Sequence, residues 1–409
     1  MDAGLTPEAL AESLRERLAP EHWPMPLSAL PADAVLVGGA VRDAALGRLS
    51  DQPDLDLVVS GGAIALGQHL ARQQGGTCVV LDPERDIARL VLRGWTIDLA
   101  GRDGSDLASD LRRRDYTVNA IALPLAAGSP VLDPNGGLEH LRSRELVAIS
   151  EANLLDDPLR LLRGVRLAAE LGFAIPEPSL GWIRRHAPRL AEVAGERVLA
   201  ELEKLAAAPE GHQGLLQAWQ LGLLALWGAQ PAAGPALTQL SRAAAEAQGL
   251  NPEEWGIALP IARLAWLLDA SAAERVKGSR RLQQRCNVLR HWWQTLSHTP
   301  LDTLAEQERL RLHEQLGNDL PALLLGQPSA TVQRALARWR NPGDPLFHPR
   351  PPLDGRQLQQ ALQLKPGPEL GQLLTHLKLE NAFGRIPLND PSAALASARQ
   401  WLQDRQPLA

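Results

Sequence analysis

Residues 35–59 read VLVGGAVRDAALGRLSDQPDLDLVV, and this stretch decides the fold. Val35-Leu36-Val37 is an apolar run that reads as a buried strand. Gly38-Gly39 breaks it, and residues 40–47 predict a short helix. Asp54-Leu55-Asp56 then leads into Leu57-Val58-Val59, a second strand entered through two acidic residues. Strand side chains alternate faces with a period of two, so Asp54 and Asp56 point the same way. Two carboxylates side by side repel unless a cation lies between them, which favours a hard metal such as Mg²⁺. A glycine turn that opens a helix offers N–H groups and a positive dipole end to phosphates. A phosphate cradle beside a metal-binding pair points to nucleotidyl transfer.

The remaining chain frames this motif. A length of 409 residues accommodates two to four domains. Abundant Ala and Leu, with one Tyr and three Phe, predict a mostly helical protein, and the 11 Trp supply most of the aromatic core. A net charge of −5 argues against a broadly basic nucleic-acid binder. RNA binding needs only a local basic surface, however, and basic runs are present. Cys78 and Cys286 are far apart and show no metal-ligand spacing, which fits a reducing compartment rather than a disulfide framework. The N-terminus lacks a signal pattern, and no apolar run approaches membrane-spanning length. The expectation is a soluble, cytoplasmic protein.

Residues 5–18 predict an amphipathic helix, followed by a Pro-rich link, so that residues 1–30 form an N-terminal appendage. From 31 to 150, short β-rich runs at 35–37, 55–59, 77–81, 88–91, 96–99 and 146–149 alternate with helices. That pattern reads as an α/β domain with a mixed sheet. Beyond 151 the β-rich runs vanish, and Leu- and Ala-rich segments broken by prolines continue to the end. Residues 342–352 are Pro-dense and mark a further boundary. The expected class is therefore α+β: a mixed-sheet head at 31–150, then helical segments at 151–210, 211–341 and 342–409.

A lone DxD is a weak signal, and the strength lies in the set. Asp98, in WTIDL, sits on a further predicted strand and offers a third carboxylate. Arg112-Arg113-Arg114-Asp115-Tyr116-Thr117-Val118-Asn119 follows, basic and polar. Asp156-Asp157-Pro158-Leu159-Arg160 then opens a helix, with Pro158 suited to its first turn and the acidic residues to its cap. Asp157, Arg160 and Arg163 fall three or four apart, near one face.

Together these motifs resemble the class II tRNA nucleotidyltransferases, the family shared by CCA-adding enzymes and bacterial poly(A) polymerases. The matching segments are GGAVRDAALG at 38–47, DLD at 54–56, RRDYTVNA at 113–120, DPNGG at 133–137 and DDPLRLLRGVRLAAELGF at 156–173. GERVLAELEKL at 195–205, PLDGRQL at 352–358 and LKPGPELG at 364–371 match later family segments. The resemblance is dense over 35–205 and sparse beyond.

It implies a DNA polymerase β-like nucleotidyltransferase head followed by a helical neck, body and tail. It also implies template-independent addition or repair of the tRNA 3′-terminal CCA with CTP and ATP. Asp54 and Asp56 hold two Mg²⁺ ions, and Asp98 joins them as a catalytic carboxylate. Gly38, Gly39 and Arg42 cradle phosphates, with Asp43 beside them. Arg114, Asp115 and Asn119 contact the ribose and triphosphate. Asp157 and Arg160 read the base edge, since a carboxylate accepts from the exocyclic amine of C or A and a guanidinium donates to a ring acceptor. Arg163 and Arg166 either touch substrate or brace the junction of head and neck.

Three positions depart from the family pattern: Asp156 where Glu is usual, Leu167 where an aromatic is usual, and Tyr116 in place of Phe. A larger departure is that only residues 99–111 separate Asp98 from Arg112. Many CCA-adding relatives carry there a mobile loop linked to the switch from CTP to ATP. CC-adding members share the short form. The expectation is full CCA addition, with CC addition alone as the first alternative and A addition or polyadenylation after it. The intact Asp54/Asp56 and Asp157/Arg160 pairs argue against a catalytically inactive RNA-binding protein.

The resemblance makes tRNA the partner, gripped by the helical part. Lys277, Arg280, Arg281, Arg285 and Arg290 lie in one helical stretch with few acids and are candidate phosphate contacts. Lys365-Pro366-Gly367-Pro368 predicts a tight turn into a helix N-terminus, a second candidate. The Trp292-Trp293 pair reads as core rather than as a base-stacking platform.

Overall fold

The computed structural model describes residues 5–232, 234–387 and 389–405. The chain folds as two units, one holding the residues up to Val193 with Leu221–Leu223, the other holding the rest.

The first unit is built on a mixed sheet. Helix α1 (Pro7–Leu18) starts where Thr6 Oγ1 accepts from the Ala9 N–H at 3.3 Å, with Pro7 at its first position. Strand β1 (Val35–Val37) has all three side chains buried, as a strand covered on both faces must. Helix α2 (Gly38–Leu46) follows directly and ends at Gly47 in the left-handed conformation. Strand β2 (Leu55–Val59), helix α3 (Ala63–Gln74), and strands β3 (Thr77–Asp82), β4 (Ile87–Leu92) and β5 (Trp95–Gly101) come next. Helix α4 (Leu107–Arg112) is capped by Asp106, which accepts from the Ser109 N–H at 2.7 Å. Strand β6 (Leu123–Pro124), helix α5 (Gly137–Ser143), helix α6 (Glu151–Asp156), helix α7 (Leu159–Leu171) and helix α8 (Ser179–His186) complete the unit. The sheet order is β3-β4-β5-β2-β1-β6. Only the β2–β5 pair is parallel. This is the mixed-sheet α+β head expected from the sequence.

One expected strand is absent. Residues 146–149 make only a bridge from Ala148 to Tyr116, beside one from Glu145 to Ala174. Tertiary burial, not sheet pairing, satisfies this apolar run, with Leu146 and Ala148 in the core. The sequence also passes over α6, which ends at Asp156. Asp157 is extended there, and Pro158 starts the separate helix α7.

Tyr116 is fully buried and donates from its hydroxyl to the Arg160 carbonyl at 2.9 Å. A Cβ at Gly164, one turn along α7, would overlap that hydroxyl. Gly164→Ala is therefore expected to cost about 1–3 kcal/mol, as overpacking of a closed core does, and to break the Tyr116–Arg160 bond. Urea unfolding of the variant checks this, and an unchanged midpoint counts against it.

The second unit is helical. It contains α9 (Gly195–Ala207), α10 (Gly211–Gln220), α11 (Arg242–Ala247), α12 (Pro252–Leu267), α13 (Ala270–Arg275), α14 (Arg280–Leu296) and α15 (Glu306–Leu316) among others. Arg263 of α12 is 1% exposed and donates to the carbonyls of Leu240, Ala206 and Ala208 at 2.7–2.9 Å. It thereby ties together carbonyls at helix ends, where intrahelical N–H partners run short. Trp292 and Trp293 are both buried, so the pair is core, as expected. Leu353, Leu358, Leu373, Leu377, Ile386 and Ala398 form a small core of their own near the C-terminus. Among the described residues no helix is long and apolar enough to cross a membrane.

Candidate active site

Strand β2 carries the acidic pair. Asp54 is the exposed residue before it, and Asp56 is its second residue. In register, Asp56 lies opposite Val37 on β1 and opposite Asp98 on β5. In-register neighbours share a face, so Asp56 and Asp98 stand side by side. Asp98 is in turn opposite Arg89 on β4. Arg89 holds it through two parallel bonds, Nε to Oδ1 and Nη2 to Oδ2, both 2.8 Å. Such a fork-to-carboxylate pair is the strongest geometry open to these groups.

The glycine turn meets this row. Gly38 has φ +74°, and its missing Cβ leaves the space taken by the Asp56 carboxylate. The Gly39 N–H favours the ionised form of that carboxylate. The turn expected to face phosphates thus makes room for an aspartate. Burial pushes the Asp56 carboxyl up to about 6, and Asp98 and Asp54 add to the rise. Arg114 and the Gly39 N–H oppose it.

The donor chemistry fits a hard divalent cation, because the groups are carboxylate oxygens crowded by negative neighbours. No cluster of three or more His, Cys, Asp or Glu able to hold a metal ion occurs among the described residues. A cation at Asp54 and Asp56 therefore needs further oxygens, which phosphates and water supply.

Asp56 and Asp98 line an open cleft of about 620 Å³ together with Asp110, Arg113, Arg114 and Arg160. That volume is in the range of small-molecule sites. The basic side is itself braced. Arg114 donates from Nε and Nη2 to Asp110 Oδ2 at 3.3 and 3.2 Å. The other oxygen of Asp110 accepts from the Asp103 N–H at 3.0 Å. Arg160 Nη1 donates to the carbonyls of Asn153 (2.7 Å) and Arg113 (3.2 Å). Asp157, just before α7, accepts from the Leu159 N–H at 3.3 Å. The arrangement sets a carboxylate row against a guanidinium row, which suits a polyphosphate with accompanying cations.

Other candidates lie apart from the cleft lining. Arg42 is 5% exposed. It pairs with Asp43 through Nε and Nη2 at 3.0 and 2.9 Å and with Asn119 Oδ1 through Nη1 at 2.7 Å. Asp115 is buried against Arg163, 3.3 Å away. Its burial would raise the carboxyl, but Arg163 and the Tyr116 N–H outweigh that and hold it below the usual carboxylate range. Arg166 pairs with Glu170 on α7. Asp156 is exposed at the end of α6.

In the helical unit, Lys277, Arg280, Arg281 and Lys365 are exposed. Gly367 is extended, not in a tight turn, and the expected helix starts after it at Pro368–Ala382. Arg285 and Arg290 differ from the expectation of phosphate contact. Arg285 forms a forked pair with Asp319 at 2.7–2.8 Å. Arg290 donates to the carbonyls of Gln230, Ala265 and Trp266 at 3.0–3.1 Å. The turn of α14 points these two inward, while Arg280 and Arg281 stay outside.

Residues 34–147 match the model of the poly(A) polymerase head domain, and residues 172–227 match that of a probable RNA- and SrmB-binding site of polymerase A. The CC-adding tRNA nucleotidyltransferase of Synechocystis sp. is 36% identical over 93% of this chain and 96% of its own length. The chain belongs to the class II tRNA nucleotidyltransferase and poly(A) polymerase family. It is an enzyme of that family. The CC-adding tRNA nucleotidyltransferase of Thermus thermophilus is 32% identical over 89% of this chain and 93% of its own. The CCA-adding enzyme of Bacillus stearothermophilus, solved in complex with CTP, superimposes with a TM-score of 0.65 at 23% identity, covering 99% of both chains. That last likeness establishes the fold.

Three residues of this nucleotidyltransferase go unmarked in the sequence reading. Arg89 carries no local signal, because its partner Asp98 is reached only across a strand pair. Asp110 could have been found, since it stands four residues before Arg114, an i,i+4 pair that runs just past the end of α4. Asn153 follows Ser150, which caps α6 by accepting the Asn153 N–H at 3.1 Å. That spacing marks a helix start and nothing more.

Proposed function

We propose that the chain adds two cytidines to the 3′ end of tRNAs and leaves the terminal adenosine to another enzyme. The observation that carries this reading is the connection between β5 and α4. Only residues 102–106 link Gly101 to Leu107. The link is also tied down, by the Asp103 N–H on Asp110 and by the Asp103 carboxylate on Arg113. A segment this short and this anchored is a poor candidate for a swinging element that re-forms the pocket between CTP and ATP. The two CC-adding relatives support the same reading.

Asp54 and Asp56 are the residues that would hold two Mg²⁺ ions, whose Lewis acidity, when bound, lowers the pKa of the RNA 3′-hydroxyl and steadies the pyrophosphate leaving group. Asp98 holds negative charge beside them while Arg89 keeps it in place. Gly38 and Gly39 keep Asp56 aimed at the cleft. Arg114, locked by Asp110, faces the triphosphate. Arg42, Asp43 and Asn119, apart from the cleft lining, act as one network that braces α2. Asp115 and Arg163 tie the segment after α4 to α7.

Arg160 and Asp157 read the base. The two carbonyls that hold Arg160 both use Nη1, and a guanidinium carries five N–H donors. A pocket of paired donors and acceptors rejects U and G because the wrong base leaves buried groups unpaired. Lys277, Arg280, Arg281 and Lys365, with Gly367, are the proposed contacts to tRNA phosphates. Each such contact adds to the salt dependence of binding.

Primer extension tests the reading. Purified protein, Mg²⁺, CTP and ATP are given tRNA transcripts that lack CCA, end in C or end in CC. The expected products gain two C, one C and nothing. Addition of A to the CC-ending tRNA would establish full CCA addition instead.

A further inference from the structure

Asn153 bears no charge, does not line the cleft and has no part in the mechanism so far. It is 8% exposed, and its bonds are unusual in where they lead. Its side-chain amide nitrogen donates to two main-chain carbonyls, those of Arg112 and Arg114, each at 2.7 Å. Its own carbonyl accepts from Arg160 Nη1 at 2.7 Å, and the same nitrogen reaches the Arg113 carbonyl at 3.2 Å. The carbonyls of three successive arginines are thus all held from α6 and α7. One of those arginines, Arg114, faces the triphosphate side of the cleft, and Arg160 faces the base side.

The chemistry of the clamp is specific. An amide NH₂ has two hydrogens, and each carbonyl takes one. Asp offers the same shape without a donor, Ser offers a single donor, and Leu offers none. Gln keeps both donors on a stem one methylene longer. The Asn153 carbonyl belongs to the last turn of α6, where following N–H groups run out because the helix stops at Asp156 and Pro158 has none. Arg160 supplies the missing donor, so the end of α6 and the guanidinium of α7 satisfy each other.

We infer that Asn153 is a positioning residue that sets the spacing between Arg114 and Arg160, and through it couples triphosphate placement to base selection. The inference rests on the assignment of these two arginines to the nucleotide in the proposed function. A group that fixes both ends of one substrate controls selectivity without touching it. A misplacement of about 1 Å is enough to cost roughly a hundredfold in rate.

Single-nucleotide incorporation on a tRNA lacking CCA tests it, with CTP, UTP and ATP supplied separately to full-length wild type, Asn153→Leu, Asn153→Ser and Asn153→Gln. Each is assayed well below its own melting midpoint. Asn153→Leu is expected to lower kcat/KM for CTP by about 30-fold, mostly through a higher KM for CTP, and to erode the CTP-over-UTP preference by about tenfold. Asn153→Ser should fall between it and wild type, and Asn153→Gln should recover part of the preference. If the variants lose activity equally with all nucleotides, at an unchanged KM for CTP and an unchanged CTP-to-UTP ratio, Asn153 is only structural and the inference is overturned. Should Asn153→Leu not fold, the Ser and Gln variants decide by the same two readouts. Wild type that adds A to a CC end would overturn the CC-only reading and leave this ratio test standing.

Discussion

Asp56→Asn is expected to abolish nucleotide addition while leaving the protein folded and, without divalent metal, more heat-stable than wild type. The loss follows from the carboxylate pair. Asn keeps the shape but offers a cation one neutral oxygen in place of a charged group. Metal activation accounts for several kcal/mol of transition-state stabilisation, so kcat should drop by about a thousandfold or more.

The gain in stability follows from the environment of the side chain. Burial, with Asp98 and Asp54 adding to it, pushes the carboxyl from 3.8 up to about 6. The folded state therefore holds this proton more tightly than the unfolded state, and ionisation of Asp56 weakens the fold as pH rises from about 4 to 6. Asparagine removes that charge. In EDTA at pH 7.5 the variant should melt about 2–4 °C above wild type, and near pH 4 the two should coincide. A lower midpoint at pH 7.5 would show that the ionised carboxylate is held by contacts that repay its burial.

The second large effect concerns Gly38. Its φ of +74° is disfavoured for any residue with a Cβ, and that Cβ would occupy the place of the Asp56 carboxylate. Gly38→Ala should cost about 1–2 kcal/mol of stability from the backbone alone. It should also lower kcat by about a hundredfold, because the aspartate must turn away. A shift of the Mg²⁺ dependence to higher concentration would accompany the loss. Gly39 provides the control. A Cβ there meets only Arg42 Nη2 at 3.5 Å, an ordinary contact, and its φ is not positive. Gly39→Ala should keep activity within a few-fold of wild type. Equal effects at the two positions would argue that the turn as a whole, and not the approach to Asp56, is what matters.

Much of this site is legible in the chain. The strand–turn–helix over 35–46 and the strand that begins after Asp54 are local patterns, written in residues that touch one another in sequence. The same holds for the start of α7 at Pro158 and for the shortness of the link between Asp98 and Arg112. Where the reading failed, a local pattern had a non-local outcome. Residues 146–149 have the composition of a strand but are buried without one. The basic run on α14 reads as one patch, yet Arg285 and Arg290 face inward toward Asp319 and main-chain carbonyls.

Sequence by itself determined the family, the mixed-sheet head and the aspartate pair, because each rests on identity and spacing within a single segment. Tertiary structure alone decided which of those residues face the cleft and which hold the others still. Arg42 finds Asn119 across a separation of 77 residues, and Asn153 finds Arg112 across 41. Asp98 is neutralised by Arg89 only because β4 and β5 pair in the register that sets them opposite. Periodicity gives the face of an element but not its partner, and partners turn an arginine into either a ligand for substrate or a brace for the fold.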